Sequence, residues 1–122
     1  MKNVINWFEI PATDFERAVG FYEKVFDTTL ECQSMDGAKM GIFPCQDPAT
    51  GGAVTQMDML KPGSAGTLIY LDATPDVAPV LSRAKANGGE VVMDKILICD
   101  EVGYIGVFMD SEGNRIGVHA PK

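Results

Sequence analysis

Apolar and polar positions alternate with two different periods along the chain. Residues 4–10 alternate weakly and predict a strand with both faces largely buried, which Pro11 ends. Residues 14–26 then carry apolar side chains at helical spacing, so they predict a helix with one buried face. Alternating segments after this helix predict three short strands, near 29–35, 39–43 and 53–59.

The second half of the chain repeats this order after a hinge at 61–65. A strand is predicted over 67–72 and a helix over 76–87, followed by strands at about 90–98, 103–109 and 115–119. When the halves are aligned at an offset of 61 residues, few residues are identical. The repeated order strand–helix–strand–strand–strand is the stronger signal of an internal repeat.

The helix ends carry recognisable capping residues. Thr13 and Glu16 have the spacing of a capping box, which predicts Thr13 as the N-cap of the first helix. We predict Asp76 as the cap of the second helix, because Pro79 then falls in the first turn, where no intrahelical donor is missed. The glycine pair at 88–89 predicts the end of that helix.

These elements predict one α+β domain over residues 1–122, made of modules at about 1–60 and 66–122. One such module has a sheet face that it cannot cover alone. Two modules side by side bury it by forming a curved open sheet, with the helices outside and a cleft inside.

The last strand and the turn before it contain much of the candidate chemistry. The turn includes Gly113 and Asn114, two residue types that tolerate positive φ. Along the strand that follows, Gly117 and the only histidine, His119, share one face. That face should border a cavity or solvent.

Charge and cysteine content exclude several classes of function. A net charge of −7 disfavours nucleic acids and anionic membranes as partners. No apolar run reaches the roughly 18 residues of a membrane span, and the N-terminus lacks a signal-peptide layout. Three cysteines without a CxxC pair indicate free thiols and a cytoplasmic location.

Several segments resemble one known family, the vicinal oxygen chelate superfamily of glyoxalase I, bleomycin-resistance proteins and extradiol dioxygenases. The resemblance covers essentially the whole chain and lies in WFEIPATDFERA at 7–18, FY at 21–22, ANGG at 86–89 and DSEGNRI at 110–116. It looks closest to small glyoxalase-like proteins with a GNRIGLH-type end, here GNRIGVH at 113–119. The resemblance implies two βαβββ modules, often completed as a homodimer.

The same resemblance implies a divalent metal in the cleft, held by His, Gln or Glu from the first and last strand of each module. Three of the corresponding positions hold Trp7, Leu68 and Gly117, none of which can ligate. The fourth lies around 55–57, where Gln56 is the only usual ligand type. We therefore predict no metal at the usual site and no other cofactor.

Four residues are the best candidates for binding a small organic molecule. Trp7 and Glu9 share one face of the first strand, and Leu68 and Tyr70 share one face of its counterpart. His119 could bind an oxygen or move a proton, which makes it the one catalytic candidate. His119 could instead bond to backbone or solvent or lie in a dimer contact. Trp7 could equally fill the core, and Glu9 could be paired or solvated. We predict a ligand site at Trp7, Glu9, Tyr70 and His119.

Three functional hypotheses follow. The first is a homodimeric module that binds a small molecule in an apolar cleft without the usual metal. The second is a metal-dependent lyase or dioxygenase, similar to lactoylglutathione lyase, with a shifted ligand set such as Glu9, Gln56 and His119. The third is a dimeric accessory protein with a vestigial cleft.

Overall fold

The computed structural model describes residues 4–122, and for Met35 only the backbone. The predicted first module includes residues 1–3, which lie outside the described residues. The elements follow in the order β1 (Trp7–Pro11), α1 (Phe15–Val25), β2 (Glu31–Met35), β3 (Ala38–Ile42), β4 (Gly51–Gln56), β5 (Tyr70–Asp72), α2 (Val77–Ala86), β6 (Glu90–Cys99), β7 (Gly103–Met109) and β8 (Arg115–Ala120).

The strands form two four-stranded sheets with the same topology. Their strand orders are β1-β4-β3-β2 and β5-β8-β7-β6. In each sheet the first and last strands of the module pair in parallel, and the remaining pairs are antiparallel. The prediction of an α+β fold with two βαβββ modules is confirmed. Strands β1 and β5 are edge strands. In each, one row of backbone N–H and C=O groups forms no hydrogen bond with another strand of the same sheet.

The N-cap of α1 is one residue later than the capping box predicts. The carboxylate of Asp14 accepts a hydrogen bond from the N–H of Arg17, so Asp14 is the cap. Thr13 does not serve as the cap, because its N–H is bonded to Glu112 from the other end of the chain. The capping-box prediction was wrong because a distant carboxylate competes for the same orphan amides.

The ends of α2 confirm the predictions. Asp76 is the N-cap and accepts from the N–H of Ala78, which places Pro79 in the first turn. Gly88 follows the helix with a φ of 100°, a conformation that favours glycine.

Strand β1 is exposed on one face, contrary to the prediction that both faces are largely buried. Ile10 is 2% exposed, whereas Trp7 is 44% exposed. The reason is that the helices cover only one face of the sheet. Trp7 and Glu9 lie on the other face, opposite Gly51 and Ala53 of β4.

Two other strands differ in extent from the prediction. Strand β4 spans 51–56 and not 53–59, because Gly51 pairs with Trp7 and the chain turns after Gln56. Strand β5 spans only 70–72 of the predicted 67–72. Pairing with strands distant in the sequence decides where β4 and β5 begin and end, and the local pattern does not show that pairing.

The core joins the two modules through α1. The ring of Phe21 lies 5.8 Å from that of Phe108 in the second module, measured between centroids. The ring of Tyr22 lies 5.6 Å from that of Phe43 in the first module. Both helix residues and Phe108 are buried, so one continuous apolar cluster includes side chains from both halves. Among the described residues, no helix is long and apolar enough to cross a membrane.

Turn 110–114, between β7 and β8, is the main polar connection between the modules. The buried hydroxyl of Tyr22 donates to Asp110 Oδ2 at 2.6 Å. Asp110 Oδ1 accepts from the N–H groups of Glu112 and Asn114, both at 2.8 Å. The side-chain amide of Asn114 donates to the carbonyl of Pro11, and its oxygen accepts from the hinge at Gly63. The turn therefore fixes α1, β1 and the hinge together.

Asn114 is needed for its side chain and not for a positive φ. Within the turn only Gly113 has a positive φ, of 89°. Asn114 is 5% exposed and uses both ends of its amide. The predicted turn is present, but its asparagine acts between modules.

Glu112 binds the start of α1 from the same turn. Its Oε1 accepts from the N–H groups of Thr13 and Asp14, both at 2.8 Å. Arg17 donates to both carboxylate oxygens, through Nε at 2.7 Å and through an Nη at 3.2 Å. Burial raises the pKa of Glu112, but the hydrogen bonds from Arg17, Asp14 and Ser111 outweigh it and hold the pKa below its ordinary value.

We predict that Tyr22→Phe lowers the free energy of unfolding by about 1–3 kcal/mol, because it leaves a buried carboxylate short of one donor. Burial and the neighbouring Asp110 already raise the pKa of Tyr22 well above its ordinary value, so the hydroxyl is the donor. Urea unfolding measures the change. The control Tyr104→Phe, at a half-buried ring, should change stability by less than about 0.5 kcal/mol. Equal losses in the two variants would contradict a role for this bond.

We predict that stability is lost on acidification partly through Glu112. Because its pKa is lower in the folded protein than the ordinary value of 4.5, its contribution is complete above pH 4.5 and disappears as the pH falls through the folded pKa. Urea unfolding across this range should show a shallower loss in Glu112→Gln than in the wild type. Glu101→Gln, in an exposed turn, is the control and should follow the wild-type profile. Identical profiles for all three proteins would refute the prediction.

Candidate functional site

Trp7 and Glu9 lie together on the uncovered face of the first sheet. The indole Nε1 of Trp7 donates to Glu9 Oε2 at 3.2 Å. The ring of Trp7 covers Gly51, where an added Cβ would lie 3.3 Å from Cζ3 of the indole. The strand alternation therefore brings this predicted pair together, and a glycine on β4 allows the ring to lie against the backbone.

The second sheet contains a similar arrangement at Tyr70. Tyr70 pairs with Gly117 across β5 and β8, and its ring occupies the space that a Cβ at Gly117 would need. Tyr70 is 46% exposed, so the outer face of the ring is open to solvent. The side chain of Tyr70 thus covers one of the positions where the resemblance implies a metal ligand.

His119 lies opposite Asp72, two residues further along the same two strands. Its Nε2 lies 2.5 Å from the carbonyl oxygen of Val102, in the turn between β6 and β7. A carbonyl can only accept, so Nε2 carries the proton in this contact. Of the two roles considered for His119, the structure shows the backbone bond.

Hydrogen bonds from Thr74 hold the pKa of Asp72 below its ordinary value. The N–H of Thr74 donates to Asp72 Oδ1 at 2.9 Å. The nearby His119 lowers this pKa further. Asp72 is therefore anionic at neutral pH.

The side chain of Gln56 bonds to the protein backbone and is not directed to a metal site. Its Oε1 accepts from the N–H of Phe15 at the start of α1, at 2.8 Å. The N–H of Ala12 bonds to the carbonyl of Thr55, just as the N–H of Ala73 bonds to that of His119. This equivalence places Ala53, two residues before Thr55, at the position that matches Gly117, two residues before His119.

Ala53 cannot ligate a metal. Among residues 4–122, no three His, Cys, Asp or Glu side chains are grouped so that they could hold an ion. The donor set that a divalent metal needs is therefore not assembled at these positions.

A hollow of about 740 Å³ is lined by residues of both modules. We call it the inter-module hollow. Its walls are formed by parts of β4 and β5 and by aromatic side chains of the first module. The lining residues include Phe8, Phe26, Phe43, Gly52, Leu71 and Asp72. Tyr70 is the one predicted ligand residue that lines it.

The other predicted ligand residues lie outside this hollow. Glu9 lines a smaller hollow of about 320 Å³, together with Lys61 and Arg115. Trp7 covers Gly51 at the edge of the inter-module hollow but does not line it, and His119 does not line it either.

Sequence reasoning did not identify the aromatic wall of the inter-module hollow. The rings of Phe8 and Phe43 lie 5.9 Å apart, and those of Tyr22 and Phe26 are stacked at 6.2 Å. Phe8, Phe26 and Phe43 are only partly buried. No signal in the sequence pointed to this wall, because Phe26 and Phe43 lie within the predicted helix 14–26 and the predicted strand 39–43, where apolar side chains indicate a core.

Comparison with known proteins identifies the family of this fold. A family model described as the Glyoxalase/Bleomycin resistance protein/Dioxygenase superfamily matches residues 4–118. The chain belongs to this superfamily. A glyoxylase-like domain-containing protein from Didymella fabae is 30% identical over 115 residues, which cover 90% of this chain and 88% of that protein.

Solved structures of the superfamily have the same fold. A glyoxalase/bleomycin resistance protein from Streptomyces sp. CB03234 is 26% identical with a TM-score of 0.67, over 93% of this chain and 96% of the other. One from Albidiferax ferrireducens T118 is 17% identical with a TM-score of 0.68, over 95% and 97%. Glyoxalase I from Zea mays is also 17% identical, with a TM-score of 0.65, and the match covers 95% of this chain and 45% of that enzyme. The last two similarities concern the fold alone.

The residues present do not fit the metal that the resemblance to this superfamily implies. The pairing of β1 with β4 moves the fourth position from the expected 55–57 to Ala53. The four positions therefore hold Trp7, Ala53, Leu68 and Gly117, none with a usual donor group. Tyr70 in addition covers Gly117.

We predict that protein purified without chelators contains much less than one divalent metal ion per chain. The reason is that no group of three donors is available at the expected positions. Elemental analysis of the wild type and of His119→Ala measures the content. A stoichiometric metal that is lost in His119→Ala would contradict the prediction and favour the shifted ligand set with Glu9 and Gln56.

Proposed function

We propose that this protein binds a small organic molecule in the inter-module hollow and does so without the usual metal of its superfamily. The observation that supports the proposal is the hollow itself, about 740 Å³ in volume and lined by aromatic side chains from both modules. Ligand sites in proteins typically measure roughly 300–1,000 Å³ and combine apolar walls with a few polar groups. Thr28, Thr50 and Asp72 are polar residues among the lining.

The walls favour a ligand with an apolar or aromatic body. Phe8, Phe43 and Phe26 contribute ring surface, and each is only partly buried in the protein. Covering such surface with a ligand removes apolar area from water, which favours binding by about 25 cal/mol per Å². Gly51 and Gly52 lie beside these rings. An added Cβ at Gly52 would collide with the ring of Phe8, so the glycine lets this wall form.

The lyase or dioxygenase hypothesis has less support from the geometry. Its shifted ligand set needs Glu9, Gln56 and His119 around one ion. Each of these side chains instead has a protein partner: Trp7 Nε1, the N–H of Phe15 and the carbonyl of Val102, respectively.

A homodimer is part of the same proposal. Strand β6 is the outer strand of the second sheet, and Val92, Ile96 and Ile98 on it are each about half exposed. Exposed apolar side chains on an edge strand favour association with another chain. A second copy would cover them and reduce the exposed apolar area.

We predict that Thr28→Trp blocks ligand binding, because Thr28 lines the inter-module hollow and the larger ring would fill part of it. A thermal-shift screen of aromatic and aliphatic fragments first identifies ligands of the wild type. A ligand at about one hundred times its Kd should add about 2.7 kcal/mol to the free energy of unfolding. Thr28→Trp should show little of this gain.

Thr29→Trp is the matched control, because the neighbouring Thr29 is exposed and does not line the hollow. It should keep the wild-type response to the same ligands. Melting temperatures without ligand identify a variant that fails to fold. If no fragment stabilises the wild type, the accessory-protein hypothesis is favoured. If Thr28→Trp responds like Thr29→Trp, the ligand binds elsewhere.

A further inference from the structure

The charge distribution around the inter-module hollow is asymmetric. Among the described residues that line it, Asp72 is the only charged one. The cationic side chains of Lys61 and Arg115 line the separate smaller hollow, together with Glu9. The inter-module hollow therefore combines apolar walls with one fixed negative charge.

No lysine or arginine within residues 4–122 forms an ion pair with Asp72. The salt bridges of the described chain join Arg17 to Glu112, Lys39 to Glu16 and Lys95 to Asp76. The N–H of Thr74 donates to Asp72, and His119 lies opposite it on the adjacent strand. Among the described residues, no lysine or arginine therefore neutralises the negative charge of the Asp72 carboxylate.

Aromatic faces strengthen the preference for positive charge. Tyr70 lines the hollow two residues before Asp72, and the outer face of its ring is open to solvent. Phe8, Phe26 and Phe43 line the first-module side. The negative faces of such rings attract ammonium groups by about 0.5–1 kcal/mol at exposed sites. A carboxylate beside aromatic rings thus has the composition of a site for an organic cation.

We infer that the ligand class of the inter-module hollow is an organic cation, with an aromatic or aliphatic body against the phenylalanine rings and an ammonium group directed toward Asp72. This inference rests on the proposed function and adds the charge of the ligand to it. The net charge of −7 acts in the same direction, because it raises the local concentration of cations around the protein.

Three probes of the same shape and different charge test the inference: naphthylmethylamine, naphthylmethanol and naphthoate. Each is titrated at neutral pH into the full-length protein, and amide NMR spectra report both the affinity and the residues affected. The amine should bind about five- to tenfold more tightly than the alcohol, from one ion pair and one cation–π contact at a partly exposed site. The carboxylate should bind most weakly. The preference for the amine should shrink as salt is added.

Asp72→Asn removes the charge and keeps an oxygen that can accept from the N–H of Thr74. In this variant the amine should bind no more tightly than the alcohol. The matched control is Asp58→Asn, at an exposed position outside the hollow, and it should keep the full preference. Amide spectra without probes show that both variants are folded.

The outcomes separate the inference from the proposed function. If none of the three probes shifts resonances of the hollow, both fail. If the alcohol binds there as tightly as the amine, or if Asp72→Asn keeps the preference for the amine, the hollow binds ligands but the inferred ligand class is wrong.

Discussion

The bond between Tyr22 and Asp110 is the interaction on which the arrangement of the two modules depends. It joins the middle of α1 to the turn before β8, residues that are far apart in the chain, and both side chains are buried. A buried carboxylate is stable only where donors surround it. The same turn supplies them through its own N–H groups, and it also binds Pro11 and the hinge through Asn114. Movement of α1 away from this turn would break the bond from Tyr22 and leave the buried carboxylate with one donor fewer.

This connection fixes the modules at one end and leaves space between them elsewhere. The two sheets do not share a strand, and β1 and β5 remain edge strands. The space beside β5 is the inter-module hollow, whose walls come from both halves. Rigid placement of the modules therefore produces a pocket that neither module contains alone, which suits a ligand site because little reorganisation is needed on binding.

The superfamily fold is retained although the side chains at its expected ligand positions have changed. Trp7 lies over Gly51 and Tyr70 over Gly117, so aromatic rings cover the backbone of the last strand in each sheet. Both rings have exposed outer faces. At Trp7 and over Gly117 the protein therefore presents aromatic surface where the resemblance implies donor atoms.

The sequence by itself determined the repeated order of elements, the cap of α2 at Asp76 and the absence of donors at Trp7, Leu68 and Gly117. These features depend on local periodicity and on residue type, both of which can be read from short segments of the chain. Only the tertiary structure decided that Glu112 competes for the amides before α1, that Gln56 binds Phe15, and that Phe8, Phe26 and Phe43 form one wall. The physical reason is that each of these contacts joins segments far apart in the chain. Glu112 reaches α1 because the two modules pack against each other, whereas the contacts of Gln56 and of the three phenylalanines follow from the folding of the first module.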